Sequence, residues 1–272
     1  MTEIGIVDTR NIIKLIQEKY AFDFSDFALT SLKRRLEYIL QLRNLKHPDL
    51  LISRLKDNPV FFEQFLEDII IPSTEMFRDP SLWRLLRDNI IPQLYKETSK
   101  FKIWLPGCVS GDELFSLCIV LRELELLEKV QIYVTCLSKK NIENIKTGIL
   151  KSSKLEVSEE NYQRINGKGK FLDYYKEVNG TAFRDSQLIA NVIFEEQKIE
   201  LENPPTGVKL ILYRNKMVYF NPTLQIKILK TLHSSLITGG YLVIGIKEFL
   251  ANLYNVNDFM LINSLESIYK KK

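Results

Sequence analysis

Leu105-Pro106-Gly107-Cys108-Val109-Ser110-Gly111-Asp112-Glu113 is the stretch on which the fold turns. The apolar run Phe101 to Leu105 leads into it, and a helical pattern, Glu113 to Leu127, leads out. Its two glycines let the backbone turn sharply and approach a ligand, while the helix start offers unpaired N–H groups. In a doubly wound sheet the first such strand–helix turn lies at the ligand crevice. The spacing is G-x-x-x-G, not the G-x-G-x-x-G of dinucleotide sites, and helix packing alone also places glycines here. Asp112-Glu113 opposes a pyrophosphate, which two carboxylates would repel, and tolerates a cationic or hydroxyl-rich ligand.

Downstream, short apolar runs keep alternating with helices. Gln131 to Thr135 precedes a helix over Lys139 to Thr147, and Lys209 to Tyr213 precedes one over Pro222 to Leu236, followed by Tyr241 to Ile246. Such alternation predicts a parallel sheet with helices on both faces. Asn161 to Glu196 interrupts it with aromatic and glycine-containing pieces, which reads as a small insertion, and Asp258 to Tyr269 supplies a final hairpin. Upstream, the first 90 residues read as helical. Ser25 is the expected N-cap of a helix burying Leu29, Leu32, Leu36, Ile39 and Leu40, with Lys33, Arg34 and Arg35 opposite and Arg43 further on. Asp49 to Leu55 and Pro59 to Asp68 make two shorter helices. Ile71-Pro72-Ser73 breaks the pattern, and Pro80 opens a helix to Leu94 that Pro92 interrupts near its end.

Composition narrows the function. The 272 residues are 45% hydrophobic and 26% charged, with 15 Phe, 12 Tyr and 2 Trp. That is ordinary for a soluble globular protein and too apolar for disorder. The longest apolar stretch, near Gly240 to Ile246, is far shorter than the ~20 residues of a membrane span. Met1-Thr2-Glu3 starts no secretory signal, so the expected location is cytoplasmic. Three cysteines without a C-x-x-C pair and two histidines, His47 and His233, offer neither a zinc site nor a convincing nucleophile pair, and no metal is expected. Residues 1–90 hold 13 basic and 14 acidic side chains, leaving 25 and 20 for the remainder. No concentrated basic face points to nucleic acid.

Three more strings bear on chemistry. At the end of the second strand, Val134-Thr135-Cys136-Leu137-Ser138 puts a thiol where nucleoside sites place an acid for the ribose hydroxyls. Tyr213-Arg214-Asn215-Lys216-Met217-Val218-Tyr219-Phe220-Asn221 puts Arg and Asn at a strand's carboxyl end, where substrates bind; a capped loop with an aromatic packing face fits the string equally well. Ser73-Thr74-Glu75-Met76-Phe77-Arg78-Asp79-Pro80 joins the helical and α/β parts, and Arg78 either reaches the crevice or pairs with a nearby carboxylate. Asn203-Pro204-Pro205-Thr206 is similar to the Asn-Pro-Pro-aromatic motif of DNA methyltransferases, but it precedes its strand and lacks the aromatic ring, so it reads as a turn.

In order and spacing, these strings resemble the CheR family, the S-adenosylmethionine-dependent methyltransferases of chemotaxis receptors. The resemblance runs through Phe24-Ser25 with Leu32-Lys33-Arg34-Arg35-Leu36, Thr74-Glu75-Met76-Phe77-Arg78-Asp79-Pro80, and Gly107 to Ser116. It continues with Asn161-Tyr162, Asp173-Tyr174-Tyr175, Arg214-Asn215 with Tyr219-Phe220, and Gly239-Gly240-Tyr241-Leu242 with Gly245 and Glu248. It implies an all-α domain over 1–72, a linker with its helix over 73–98, and a class I Rossmann-like α/β methyltransferase domain over 99–272. A small antiparallel β insertion is expected at 159–196. The implied reaction is methyl transfer to receptor glutamates. Thr74, Arg78, Gly107, Glu113, Arg214 and Asn215 would line the cofactor pocket, with Cys136, Lys198 and Ile199 on its ribose and adenine side. Arg78 would orient the reactants, and Tyr219 would stand beside the methyl group. Lys33, Arg34 and Arg35 would meet the acidic receptor helix.

Four positions depart from the family pattern. Cys136 replaces the ribose acid, Pro72 an Asn, Lys198-Ile199 an Asn-Leu pair, and Lys209 an Asp. Each charge-assisted hydrogen bond lost costs ~1.5–3 kcal/mol. A second expectation follows from another class of function: a weak or silent relative that serves as a binding module for a receptor or signalling protein. A nicotinamide oxidoreductase lacks both the glycine spacing and the ribose acid.

Overall fold

The computed structural model describes residues 3–70, 74–98, 100–248, 250 and 256–272. Pro72, with Ile71 and Ser73, lies outside the described residues. The chain forms two compact units, residues 1–72 with 215–227 and residues 73–214 with 228–272.

The first unit is built on four helices: α1 (Ile6–Tyr20), α2 (Leu29–Leu42), α3 (Pro48–Asp57) and α4 (Pro59–Ile70). α1 packs on α2 and α3, and α4 closes on both. Leu32, Leu36, Ile39 and Leu40 of α2 are buried, as their spacing predicts. Helix α2 starts later than Ser25. Its N-cap is Ala28, whose N–H donates to the Tyr219 carbonyl at 2.8 Å. Ser25 sits in the preceding turn, its N–H donating to Asp23. His47, read as loop, caps α3 by accepting from the Asp49 N–H at 3.3 Å.

The second unit begins with α5 (Pro80–Leu85) and α6 (Ile91–Glu97), joined by a π-helical turn over Leu86–Ile90. The wide turn absorbs the donor that Pro92 lacks, so the helix continues instead of ending. Next come β1 (Phe101–Leu105), α7 (Asp112–Glu123), β2 (Val130–Cys136), α8 (Lys139–Lys146), β3 (Ile149–Leu150) and α9 (Ser152–Arg164). After these lie β4 (Tyr175–Val178), β5 (Thr181–Arg184), β6 (Ile193–Glu196), β7 (Val208–Tyr213), α10 (Pro222–Ser235), of which Pro222 to Lys227 belongs to the first unit, β8 (Leu236–Ile244), β9 (Phe259–Asn263) and β10 (Ile268–Lys271). The large sheet has the order β6-β2-β1-β7-β8-β10-β9. Its first five strands are parallel, and β10 runs antiparallel between β8 and β9. This is a Rossmann-like arrangement with the hairpin read from Asp258 to Tyr269. A small antiparallel sheet, β3-β5-β4, stands apart.

The insertion starts and stops earlier than 159–196. Its first strand, β3, lies at Ile149–Leu150, before α9, and β6 belongs to the large sheet as the partner of β2. A four-residue edge strand is too short to show a period, which is why β6 merges with the irregular stretch before it. Asn203 to Thr206 is irregular, with bends at Asn203 and Thr206 and Asn203 left-handed. Among the described residues no helix is long and apolar enough to cross a membrane.

Candidate active site

Strand order reverses between β1 and β7, and open α/β sheets bind ligands at the carboxyl ends of such a pair. Two groups stand there. The first is the loop from Leu105 to α7, where Gly107 has φ 61° and the Cys108 N–H donates to the Thr135 carbonyl at 2.8 Å. The second is Arg214, next after β7, with its side chain 5% exposed. Its Nη1 is 3.1 Å from Glu113 Oε1, its Nη2 donates to the Asp79 carboxylate, and its Nε has no hydrogen-bond partner among the described residues. A guanidinium flanked by two carboxylates and holding one unused buried donor suits a zwitterion: Glu113 is placed for an ammonium and the guanidinium edge for a carboxylate. The amino-acid end of S-adenosylmethionine has those two charges.

Arg78 is held by its backbone. The Phe77 N–H donates to Ser116 Oγ at 2.8 Å, and Ser116 Oγ donates to the Asp112 carbonyl at 2.7 Å. Asn161 Nδ2 donates to the Met76 carbonyl, and Trp83 Nε1 to that of Arg78. Phe77 and Asp79, on either side of Arg78, are both left-handed, at φ 54° and 59°. Non-glycine residues there cost about 1–3 kcal/mol each and cluster at functional sites. Asp79 precedes α5 as expected of a cap, yet its side chain makes no capping bond and goes to Arg214. Thr74 and the Arg78 side chain are half-buried.

The other side of the crevice is different. Cys136 is fully buried, so its thiol presents no surface to a ligand, and its carbonyl accepts from the Gln197 N–H at 2.7 Å. Lys198 is a surface residue whose side chain, 73% exposed, pairs with Glu202 at 3.2 Å. Ile199 is half-buried. Gln197, which no sequence motif marks, keeps a buried Oε1 with no partner among the described residues. Lys209 lies at the opposite end of its strand, donating to Thr98 Oγ1 at 2.6 Å, so this departure does not touch the crevice. The residues present therefore fit the methionine end of the cofactor and leave no acid at the end of β2 itself; the neighbouring Glu196 carboxylate, at the end of β6, accepts from the Lys139 N–H at 3.1 Å.

Tyr219 and Asn215 belong to the helical unit. The segment bearing Tyr219 is pinned there by Ala28 and by Ser31, whose Oγ donates to the Val218 carbonyl at 3.1 Å. Phe27 and Phe220 form an isolated antiparallel bridge, with rings 5.1 Å apart. The three basic residues of α2 are not equivalent. Arg34 is exposed, Lys33 pairs with Glu37 at 3.3 Å, and Arg35 caps α4 by donating to the carbonyls of Asp68 and Ile69.

Asp112, expected from the sequence to confront a ligand beside Glu113, does not. It is 1% exposed and neutralised from within, 2.9 Å from Arg184 and 3.0 Å from Lys154. The three cysteines are buried, and burial pushes the Cys118 thiol far up, the opposite of an activated nucleophile. No group of three or more metal-ligating side chains occurs among the described residues.

A Rossmann-like sheet with this order, and an acidic and basic cluster at its switch point, define the class of the class I methyltransferases. The family description "CheR methyltransferase, SAM binding domain" matches residues 72–265, and "CheR methyltransferase, all-alpha domain" matches residues 8–70. The chain belongs to the CheR family of S-adenosylmethionine-dependent methyltransferases. It is 34% identical over 242 residues to Cher3 of Pseudomonas putida, named as a candidate methyltransferase, across 89% of this chain and 88% of that one. It is 22% identical to a chemotaxis protein methyltransferase of Borreliella burgdorferi, across 92% and 90% of the two chains. A chemotaxis protein methyltransferase of Listeria innocua is 24% identical across 92% and 95%.

Proposed function

We propose that this chain methylates glutamate side chains on the cytoplasmic helices of methyl-accepting chemotaxis receptors. The observation that carries this reading is the Arg214 guanidinium between Asp79 and Glu113, beside the glycine loop. When bound, S-adenosylmethionine supplies an activated methyl group on a sulfonium with its own leaving group. A glutamate carboxylate is ionised and nucleophilic near pH 7, so the protein needs no general base. Its task is to align the oxygen and strip water from it, which contributes ~7–11 kcal/mol in favourable cases. Glu113 and Arg214 hold the amino-acid end. Arg78, on its strained backbone, orients the reactants. Arg34, with the Lys33 ammonium beside it, faces the acidic receptor helix, while Arg35 serves the helical fold.

The test is methyl transfer from labelled S-adenosylmethionine to a receptor cytoplasmic fragment, read as labelled methanol released when alkali hydrolyses the methyl ester. Label that vanishes when the fragment's candidate glutamates become glutamine supports the reading; label that persists overturns it. The buried Cys136 thiol favours a second reading, a receptor-binding module with little catalysis. Calorimetry with S-adenosylhomocysteine separates the two, since absence of heat at sub-millimolar ligand favours the module.

A further inference from the structure

Arg184, at the end of β5 in the small sheet, is 6% exposed, yet every hydrogen bond it is seen to make with its guanidinium goes to backbone or carboxylate around the cofactor loop and the neck of the insertion. Its Nη1 donates to the Ser110 carbonyl at 3.2 Å, and its Nη2 to Asp112 Oδ1 at 2.9 Å and to the Ile149 carbonyl at 3.1 Å. The guanidinium carbon lies 4.8 Å from the centre of the Phe115 ring, one turn into α7. Two left-handed glycines make room for it. A Cβ on Gly111 would stand 3.2 Å from Arg184 Nη1 and 3.0 Å from Ile145, and one on Gly148 would stand 2.9 Å from the Arg184 carbonyl. The Arg184 N–H in turn donates to the Gly148 carbonyl at 2.8 Å.

The loop is thus gripped at two points. Cys108 is tied to Thr135 from the β2 side, and Ser110 and Asp112 are tied to Arg184 from the insertion. Gly107 and Glu113, the parts of the loop assigned to the cofactor, flank those grips on either side. We infer that Arg184 is a positioning residue for S-adenosylmethionine: through Ser110 and Asp112 it sets the loop and the first turn of α7, and with them the carboxylate of Glu113. The small sheet is then part of the cofactor site's framework. The burial of Asp112 follows as well, since it holds the guanidinium at the helix start and leaves ligand contact to its neighbour. Lys154, at 3.0 Å from the other Asp112 oxygen, adds a second cation to that carboxylate. This inference rests on the cofactor reading above, and not on the receptor as substrate.

The experiment compares the wild type with Arg184→Met, which keeps length and packing but no donors, and with Arg184→Lys, which keeps the charge. Each is read by hydrogen exchange of the amides from Cys108 to Glu113 without ligand, and by calorimetry with S-adenosylhomocysteine. The expected result for Arg184→Met is faster exchange confined to this loop and an affinity lower by about tenfold. Arg184→Lys should recover most of that affinity. In the methylation assay, KM for S-adenosylmethionine should rise while kcat at saturation changes less than about threefold. Loop exchange equal to wild type, or faster exchange with unchanged affinity, overturns the inference. Should Arg184→Met fail to fold, the milder Arg184→Lys decides by the same two readings: unchanged exchange and affinity overturn it. A wild-type chain that takes up no S-adenosylhomocysteine sinks the cofactor reading instead, and the inference with it. A chain that binds this ligand but methylates no receptor sinks only the receptor assignment.

Discussion

The two sides of the crevice are built on opposite principles. Around Arg214 the site is charged, buried and redundant: two carboxylates share one guanidinium, and the Arg78 segment that supplies Asp79 is locked by bonds to α7 and α9. At the end of β2 the strand itself is neutral: the Cys136 thiol is sealed from solvent, Lys198 turns to a surface partner, and the Glu196 carboxylate, in register with Cys136, accepts from the Lys139 N–H at 3.1 Å. One side has every group that recognition of a charged ligand asks for, and the other offers shape and backbone. Charge complementarity at one end can orient a ligand that the far end only accommodates, at a cost in affinity rather than in geometry.

Removing Arg214 breaks that comparison most severely. Arg214→Met leaves Asp79 and Glu113 facing each other without their cation, and losing one partner of a buried pair costs about 3–5 kcal/mol. The variant should melt clearly below wild type and take up no S-adenosylhomocysteine in calorimetry, even at temperatures where it stays folded. Retained binding would move the charged end of the ligand elsewhere. Arg78→Ala comes next. Backbone bonds hold its segment, so the melting temperature should stay within a few degrees while methyl transfer falls about a hundredfold or more. An unchanged rate would strip Arg78 of its role.

Much of this was legible beforehand, for identifiable reasons. The parallel sheet announced itself because strands buried on both faces read as apolar runs, and the loop after β1 because glycines there are spaced for a turn. Arg214 was visible because a residue directly after such a strand stands at the ligand-binding end of the sheet. Its partnership with Asp79 was not, since 135 positions separate them and Asp79-Pro80 already had a local reading as a helix start. Arg184 was hidden for the same reason: nothing in Thr181 to Arg184 distinguishes a buried arginine from a solvated one. Arg35 went the other way, sharing the spacing of a basic face while its side chain is spent on the end of α4. Charge patterns show which residues are basic; only packing shows which remain available.

Cys136→Asp sharpens the comparison, because it asks whether the neutral side can be made charged. In the absence of ligand, an acid at this fully buried position should lower the melting temperature, by more than the ~1–3 kcal/mol that burial of an uncharged polar group costs. With S-adenosylhomocysteine present, the aspartate oxygens, one bond further out than the sealed thiol, can accept from ribose hydroxyls, so the ligand-induced rise in melting temperature should exceed that of wild type and affinity should gain about tenfold. A loss of stability that ligand does not restore would show that the ribose lies away from the end of β2.

The smallest effect belongs to Lys198. Its pair with Glu202 is an exposed i,i+4 contact, worth a few tenths of a kcal/mol at most. Lys198→Ala should change S-adenosylhomocysteine affinity less than about twofold and leave melting unchanged. This near-silence is informative because Lys198 stands where the family pattern has Asn, so a side chain reading the adenine would be felt there. A fivefold loss would mean that the ammonium leaves Glu202 for the ligand, and that the neutral side of the crevice acquires its charge only on binding. Agreement with the small value would leave adenine recognition to backbone and to the buried Gln197, whose Oε1 still has an acceptor to offer.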